Sequence, residues 1–453
     1  MSRNICLVVL CCAILLMANM ACQSGNATKP GDKTVADVAA SVPVPTEEMP
    51  SEGKAPILPG LAEFDGERPD PTLDGTPPVP KAGVVNPDNP PERIPVPTLK
   101  DSERWSKLKL PQTVASGEGP SWVAIGDLDG DQKLDMAVVE YRQNTVSVFL
   151  GRGNGDFHEP RSFKTGGKPD GLALGDFDKD GDLDFVVANE GEGDVGIYLN
   201  TGDGTFAETV HYSLGNSLVE LAIGDLDGDN DLDIVAANTE EEKLSILINK
   251  GKGVFSKQRK LKVGGEDCSC KLGDLDGDGD LDLVVSDSKE GKIAVFLNQG
   301  NGQFANPVFY DVGASPLELV LGDLDADGDT DIAVCNEKDG DVSILFNQGN
   351  GSFTRGDDIP VSDDAFDDAF DLALGDIDGD SKPDLLVSDN SMNRGYVFLN
   401  NGNGTFQKPK LFATGKNPGY IALADLDADS DLDVVVTNFG DDTITILLNL
   451  HIP

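Results

Sequence analysis

Seven short loops along the chain carry carboxylates at positions 1, 3, 5 and 9, counted from the first Asp of each. The first is Asp127, Asp129, Asp131 and Asp135; the second Asp176, Asp178, Asp180 and Asp184; the third Asp225, Asp227, Asp229 and Asp233. The fourth is Asp274, Asp276, Asp278 and Asp282; the fifth Asp323, Asp325, Asp327 and Asp331. The sixth is Asp376, Asp378, Asp380 and Asp384, and the seventh Asp425, Asp427, Asp429 and Asp433. So many oxygens on a compact loop suit a hard cation of adaptable coordination, which is Ca²⁺ before Mg²⁺, since Mg²⁺ demands strict octahedral geometry and keeps its water. A backbone carbonyl at position 7, Lys133 in the first loop, would complete the shell.

An EF-hand loop begins in the same way but requires a bidentate Glu at position 12 and flanking helices. Here position 12 is apolar, as at Val138 and Val187, and lies inside a β pattern. Gly or Asn at position 6 (Gly181, Asn230, Gly279, Gly328) eases the turn, whereas Gln132, Ser381 and Ser430 depart from it and mark weaker sites. One acidic turn alone reads as solvated surface; seven in register do not. Seven divalent ions would add 14 charges and carry the formal net charge from −45 to −31. Up to seven structural Ca²⁺ ions are expected, with affinities of roughly 10⁻⁴ to 10⁻³ M, typical of extracellular modules.

The elements that hold these loops follow from their spacing. Successive loops begin 49, 49, 49, 49, 53 and 49 residues apart. Each is preceded by an apolar strand pattern and followed by two more. A turn of the form Gly-x-Gly-x-Phe comes next, first at Gly153-Asn-Gly155-Asp-Phe157, and leads to a fourth strand. Four short strands per repeat, joined by turn chemistry, define an all-β, seven-bladed β-propeller. There are seven Asp loops but six glycine turns, and the last repeat stops after its third strand. Residues 108–114 align with the fourth strand of the preceding repeat, so an N-terminal strand is expected to close the ring and remove its open edges.

The domain reading is a signal segment at 1–21, a Pro-rich disordered tether at 22–103 and the propeller at 104–453. Sixteen of the 27 prolines fall between residues 23 and 103, a composition that favours extended, partly polyproline II chain. Arg3 and the apolar run from Ile5 to Met20 form an export signal. It ends at Asn19-Met20-Ala21-Cys22, which resembles a lipoprotein lipobox with Asn19 in place of the usual Leu, so that Cys22 is the expected lipidation site. A cleaved signal without lipid and an uncleaved anchor are the alternatives. All three place the chain outside the cytoplasm, anchored to the cell envelope by lipid or exported.

The net charge of −45 excludes nucleic acid and electrostatic docking on anionic lipid. Cys268, Cys270 and Cys335 have no zinc or haem spacing; the first two read as buried apolar residues, with a disulfide left open. The 53-residue step comes from a doubled Asp-Asp-Ala-Phe at residues 363–370, either a tolerated surface insertion or an acidic loop on a binding face.

The Asp loops and the Asn-x-Gly-x-Gly-x-Phe turns resemble the FG-GAP/VCBS family, the blades of the integrin α-subunit propeller and of many bacterial surface proteins. The resemblance covers about 345 residues. It implies calcium loops between the first and second strands, on one face of the ring, with ligands on the other. On that opposite face stand Trp122 and Tyr420, each five residues before a loop's first Asp and on blades that closure makes neighbours. They are either a platform for a sugar or peptide or plain rim packing. The expected function is a non-catalytic binding, adhesion or scaffold module for a protein or glycan, as a monomeric, membrane-tethered propeller. The alternative is a polysaccharide lyase or hydrolase on a calcium-bearing propeller. His158, His211 and His451 are the only histidines, and none stands beside another obvious catalytic group in sequence.

Overall fold

The computed structural model describes residues 105–449 except 106, 110, 208–209, 240–242, 257–258, 264–268 and 362–368. The signal segment, Cys22, the tether, Cys268, His451 and most of the doubled Asp-Asp-Ala-Phe lie outside the described residues.

Seven antiparallel sheets follow one another along the chain. In the first blade the strands are Pro120–Gly126, Asp135–Glu140, Thr145–Phe149 and Arg161–Lys164, paired in that order. The first strand of each blade touches the first strands of both neighbouring blades, and Pro120–Gly126 touches Pro418–Ala424 of the seventh, so the ring is closed. The second strand of every blade is buried along its whole length, which explains why it reads as an unbroken apolar run. Alternation still operates within it. Met136 and Val138 pack toward the seventh blade, while Ala137 and Val139 pack toward the second, so the core lies between blades rather than within them.

The last blade has the order Gln112–Ala115, Thr443–Leu447, Asp433–Asn438, Pro418–Ala424. Closure by an N-terminal strand is therefore as the sequence predicts, and it extends further back. In the sixth blade Phe406 bridges Asn400 four residues before the strand Lys410–Ala413. In the seventh, Leu108 bridges Asn449 four residues before Gln112 and is 1% exposed. Leu108 thus replaces the turn Phe, supplied from the other end of the propeller. Trp105 is buried beside it.

The fifth blade departs from the simple pattern. Its fourth strand is split into Phe353–Arg355 and Ile359–Pro360, both paired to Asp341–Asn347. Gly356, Asp357 and Asp358 interrupt it, and Arg355 holds Asp358 at 2.8 Å across the break. Cys270 and Cys335 are both fully buried, consistent with a packing role; Phe370, at the end of the doubled segment, is exposed.

Candidate metal centres and the central channel

Each Asp loop joins a blade's first strand to its second and is shaped by its own carboxylates. Position 1 folds the loop over itself, since its Oδ2 accepts the position-6 N–H at 2.7–3.1 Å in all seven loops. Position 6 is left-handed in every loop, including Gln132 (φ 66°), Ser381 (φ 66°) and Ser430 (φ 75°). These three non-glycine residues carry strain that Gly181 does not.

Position 9 begins the second strand and is buried. Its Oδ2 accepts the position-2 N–H, at 2.8 Å from Leu128 to Asp135. Its Oδ1 accepts an N–H sixteen residues on, at 2.6–2.8 Å. Burial pushes these carboxyls up to about 6, and Asp433 to about 7; the backbone donors oppose the shift and the other loop charges add to it. Burial and the charge at position 5 likewise raise Asp129, Asp178, Asp276 and Asp325 at position 3.

Ligand oxygens of positions 1, 3 and 9 come within 4.8 Å of one another in the first, second, fourth and fifth loops, and those of Asp225, Asp227 and Asp229 do so in the third. Position 5 is the more open to solvent: Asp131, Asp180, Asp229, Asp278, Asp327 and Asp380 are exposed and Asp429 is half-buried. The donor set fits a divalent cation on a specific ground. Oδ1 of Asp227, Asp276, Asp325, Asp378 and Asp427, the position-3 residue of five loops, is buried without a hydrogen-bond partner. A buried carboxylate oxygen left unpaired is strongly unfavourable, and a bound cation is the partner an all-acceptor group requires.

One recurring group has a role that only the structure reveals. Asn200 donates from Nδ2 to Leu128 O of the preceding blade's loop at 2.8 Å and to Leu183 O of its own at 2.9 Å. Asn249, Asn298, Asn347, Asn400 and Asn449 do the same in their blades. The Asn that opens each Asn-x-Gly-x-Gly-x-Phe turn, with Asn449 at the equivalent place in the seventh blade, therefore stitches each Asp loop to its neighbour. The first blade has Gly151 at this position, so the closing joint lacks that stitch. It keeps the bond from Gly155 N to Leu426 O at 3.1 Å, which recurs at stitched joints from Gly253 and Gly404, and adds Arg142 over the Phe439 ring at 4.1 Å and Trp122 stacked on Tyr420 at 3.9 Å.

Trp122 and Tyr420 thus meet each other across the closing joint, both half-buried. Their position repeats around the ring as Gly171, Glu220, Ser269, Glu318 and Asp371. In six blades the pairing register shifts at this point of the first strand, a bulge that re-aims the side chain. Lys271 of the fourth blade is ion-paired with Glu220 and Glu318 of the blades on either side. Its ammonium lies 6.0 Å from the Trp122 ring of the first blade, a contact possible only across the central channel. Burial opposes the lysine's charge, but Glu220 and Glu318 outweigh it and hold Lys271 protonated well above the ordinary range. Asp371 accepts the Ile421 N–H at 2.6 Å. Of the histidines, His211 lies on an outer strand, its Nδ1 3.1 Å from Asp194, and His158 follows a glycine turn.

A sequence model described as an FG-GAP-like repeat matches residues 127–187, 176–236, 225–285, 274–334, 323–387 and 376–436. The matches run through more than half of the chain, which therefore belongs to the FG-GAP-like repeat family. No curated protein matches it closely enough to be compared. Among solved structures it is similar to BBS1N, crystallised in complex with ARL6DN, with 12% identity over 75% of this chain and 96% of that one and a TM-score of 0.53. It is similar as well to catalytically inactive virginiamycin B lyase from Staphylococcus aureus with quinupristin, with 12% identity over 75% and 99% of the two chains and a TM-score of 0.52. A protein from Lactobacillus plantarum shares 16% identity over 73% of this chain and 94% of that one, at a TM-score of 0.50. At these identities the likeness is one of fold alone.

Proposed function

We propose that the chain is a calcium-stabilised, non-catalytic binding or scaffold propeller that works outside the cytoplasm, tethered through Cys22, and presents a protein or glycan ligand site on the face away from the Asp loops. The observation that carries the calcium reading is the buried, unpartnered position-3 oxygen in five loops. Asp at positions 1, 3, 5 and 9 would hold each ion, which would supply the positive charge these carboxylates lack and lock each loop to its blade. The binding reading rests on a fold whose described charged and aromatic channel residues are engaged with one another. At 12% identity the likenesses to BBS1N and to a lyase each add the fold and neither a partner nor a catalytic group.

The test uses the full chain. Chelation is expected to lower the melting temperature by about 10 °C or more and calcium to restore it, given that ligand binding stabilises by mass action. Retention of glycans or envelope proteins is expected with calcium and lost with chelator. Cys22→Ser is expected to move the chain from the membrane fraction to the soluble one. A melt indifferent to calcium would end the metal reading, and new unsaturated sugar ends after incubation with acidic polysaccharides would replace binding with lyase activity.

A further inference from the structure

Position 7 divides the seven loops into two kinds. It is Asp in five of them (Asp182, Asp231, Asp280, Asp329 and Asp431) and Lys in the first and sixth (Lys133 and Lys382). In every loop the position-7 N–H donates to Oδ1 of the position-5 Asp at 2.9–3.1 Å. In the two lysine loops the same residue also takes the other oxygen. Lys133 Nζ is paired with Asp131 Oδ2, and Lys382 Nζ with Asp380 Oδ2 at 2.6 Å.

Both oxygens of an expected ligand are therefore committed to one lysine, and a positive charge sits at the lip of the loop. The stems are guided there by the glycine turn. A Cβ placed on Gly153 would meet Lys133 Cδ at 2.9 Å, and one on Gly402 would meet Lys382 Cδ at 2.8 Å. The five other loops carry a fifth Asp in place of the lysine.

Lysines also approach other loops, but differently. Lys250 and Lys109 come from elsewhere in the chain and lie 3.7 and 3.3 Å from Oδ2 of Asp227 and Asp427, the position-3 residues of the third and seventh loops. Oδ1 of both residues remains buried and unpartnered, as does Oδ1 of Asp378 in the sixth loop, so what sets the first and sixth loops apart is the lysine on the position-5 carboxylate. Lys179 pairs with Asp231 at position 7, not with an expected side-chain ligand.

We propose that Lys133 and Lys382 are tethered counter-ions that stand in for a divalent cation at the lip of the first and sixth loops, so that the chain fills five calcium sites ahead of two. This inference rests on the calcium reading and assigns the seventh loop, despite Ser430, to the five.

The experiment counts ions on the intact metal-free chain titrated with calcium chloride, by native mass spectrometry and calorimetry. Wild type is expected to carry five ions at a calcium concentration that leaves two sites empty, with about a tenfold gap between the two classes. Lys133→Asp, which restores the residue the other five loops have, is expected to carry six at that concentration, and Lys133→Asp with Lys382→Asp seven. Lys133→Gln and Lys382→Gln, which remove the charge without adding a carboxylate, are expected to close most of the gap. Seven equivalent ions on wild type, or lysine variants that gain none, overturn this inference and leave the calcium reading standing. No ion on any of the chains overturns both.

Discussion

At the scale of single residues, the position-9 Asp and the turn Asn divide the work of holding a loop in place. Asp233 fixes Leu226 and Asn249 by their backbone N–H groups, and Asn249 carries the bond onward to Phe177 O at 2.9 Å in the neighbouring blade. Asn249 is fully buried, and replacing it with Ala takes a donor from Leu232 O and Phe177 O, of which Phe177 O keeps the Gly253 N–H, and takes the acceptor from Gly251 N–H. Asn249→Ala is expected to destabilise the propeller by about 1–3 kcal/mol, the cost of unsatisfied buried polar groups, read as a shift in the urea midpoint. Gly151→Asn at the equivalent place in the first blade is not expected to stabilise, because a Cβ there would meet Leu134 O at 2.0 Å. An Asn249→Ala chain with an unchanged midpoint would contradict the stitching role. The Asn was legible as part of a turn motif, but its partner 72 residues earlier was not, because that contact exists only once two blades lie side by side.

At the scale of elements, the first strands are the least uniform part of the ring. Three residues before each Asp loop stand Ala124, Ala173, Ala222, Val320, Ala373 and Ala422, with Lys271 the one exception. That exception gathers Glu220 and Glu318, 4% and 8% exposed, while Asp371 and Tyr420 add their charges and dipoles from the sixth and seventh blades. Burial, then the charge of Glu318, raise Glu220 from its ordinary 4.5 to about 7, with Lys271 opposing. A carboxyl whose pKa is higher folded than unfolded adds stability that is complete below pH 4.5 and fades as the pH climbs through 7. Wild type is expected to lose melting temperature across that window at fixed calcium, and Glu220→Gln to lose less. Parallel slopes for the two proteins would refute the assignment. The period of the repeat places these residues at equivalent positions, and it is silent on which of them meet across the channel.

At the scale of the whole molecule, one joint differs from the other six. It has no Asn stitch, and it is crossed by Trp122–Tyr420, Arg142–Phe439 and the N-terminal strand Gln112–Ala115 paired to Thr443–Leu447. Removing residues 1–116 would take away that strand with Leu108 and expose the edge of Thr443–Leu447 to pairing with another chain. The truncated chain is expected to associate and to melt about 10 °C or more lower, measured by light scattering and calorimetry, since the seventh blade loses its fourth strand and its plug. A control lacking only residues 23–103 is expected to melt like wild type. A truncated chain that remains monomeric with an unaltered melt would show that closure does not depend on this strand.

Spacing in the sequence by itself determined the number of blades, the strands within them, the Asp loops and the strand that closes the ring. These are local patterns, and hydrophobic alternation, glycine turns and carboxylate spacing act within one repeat. Only the tertiary structure decided that Leu108 fills the place of a missing Phe, that Trp122 and Tyr420 stack on each other, that Lys271 spans the channel, and that Lys133 and Lys382 turn back onto their own loops. The first three join residues far apart in the chain, and the last depends on which way a long side chain is steered by the turn beneath it. A repeat period fixes equivalent positions; it does not fix which non-equivalent side chains meet where the ring comes together.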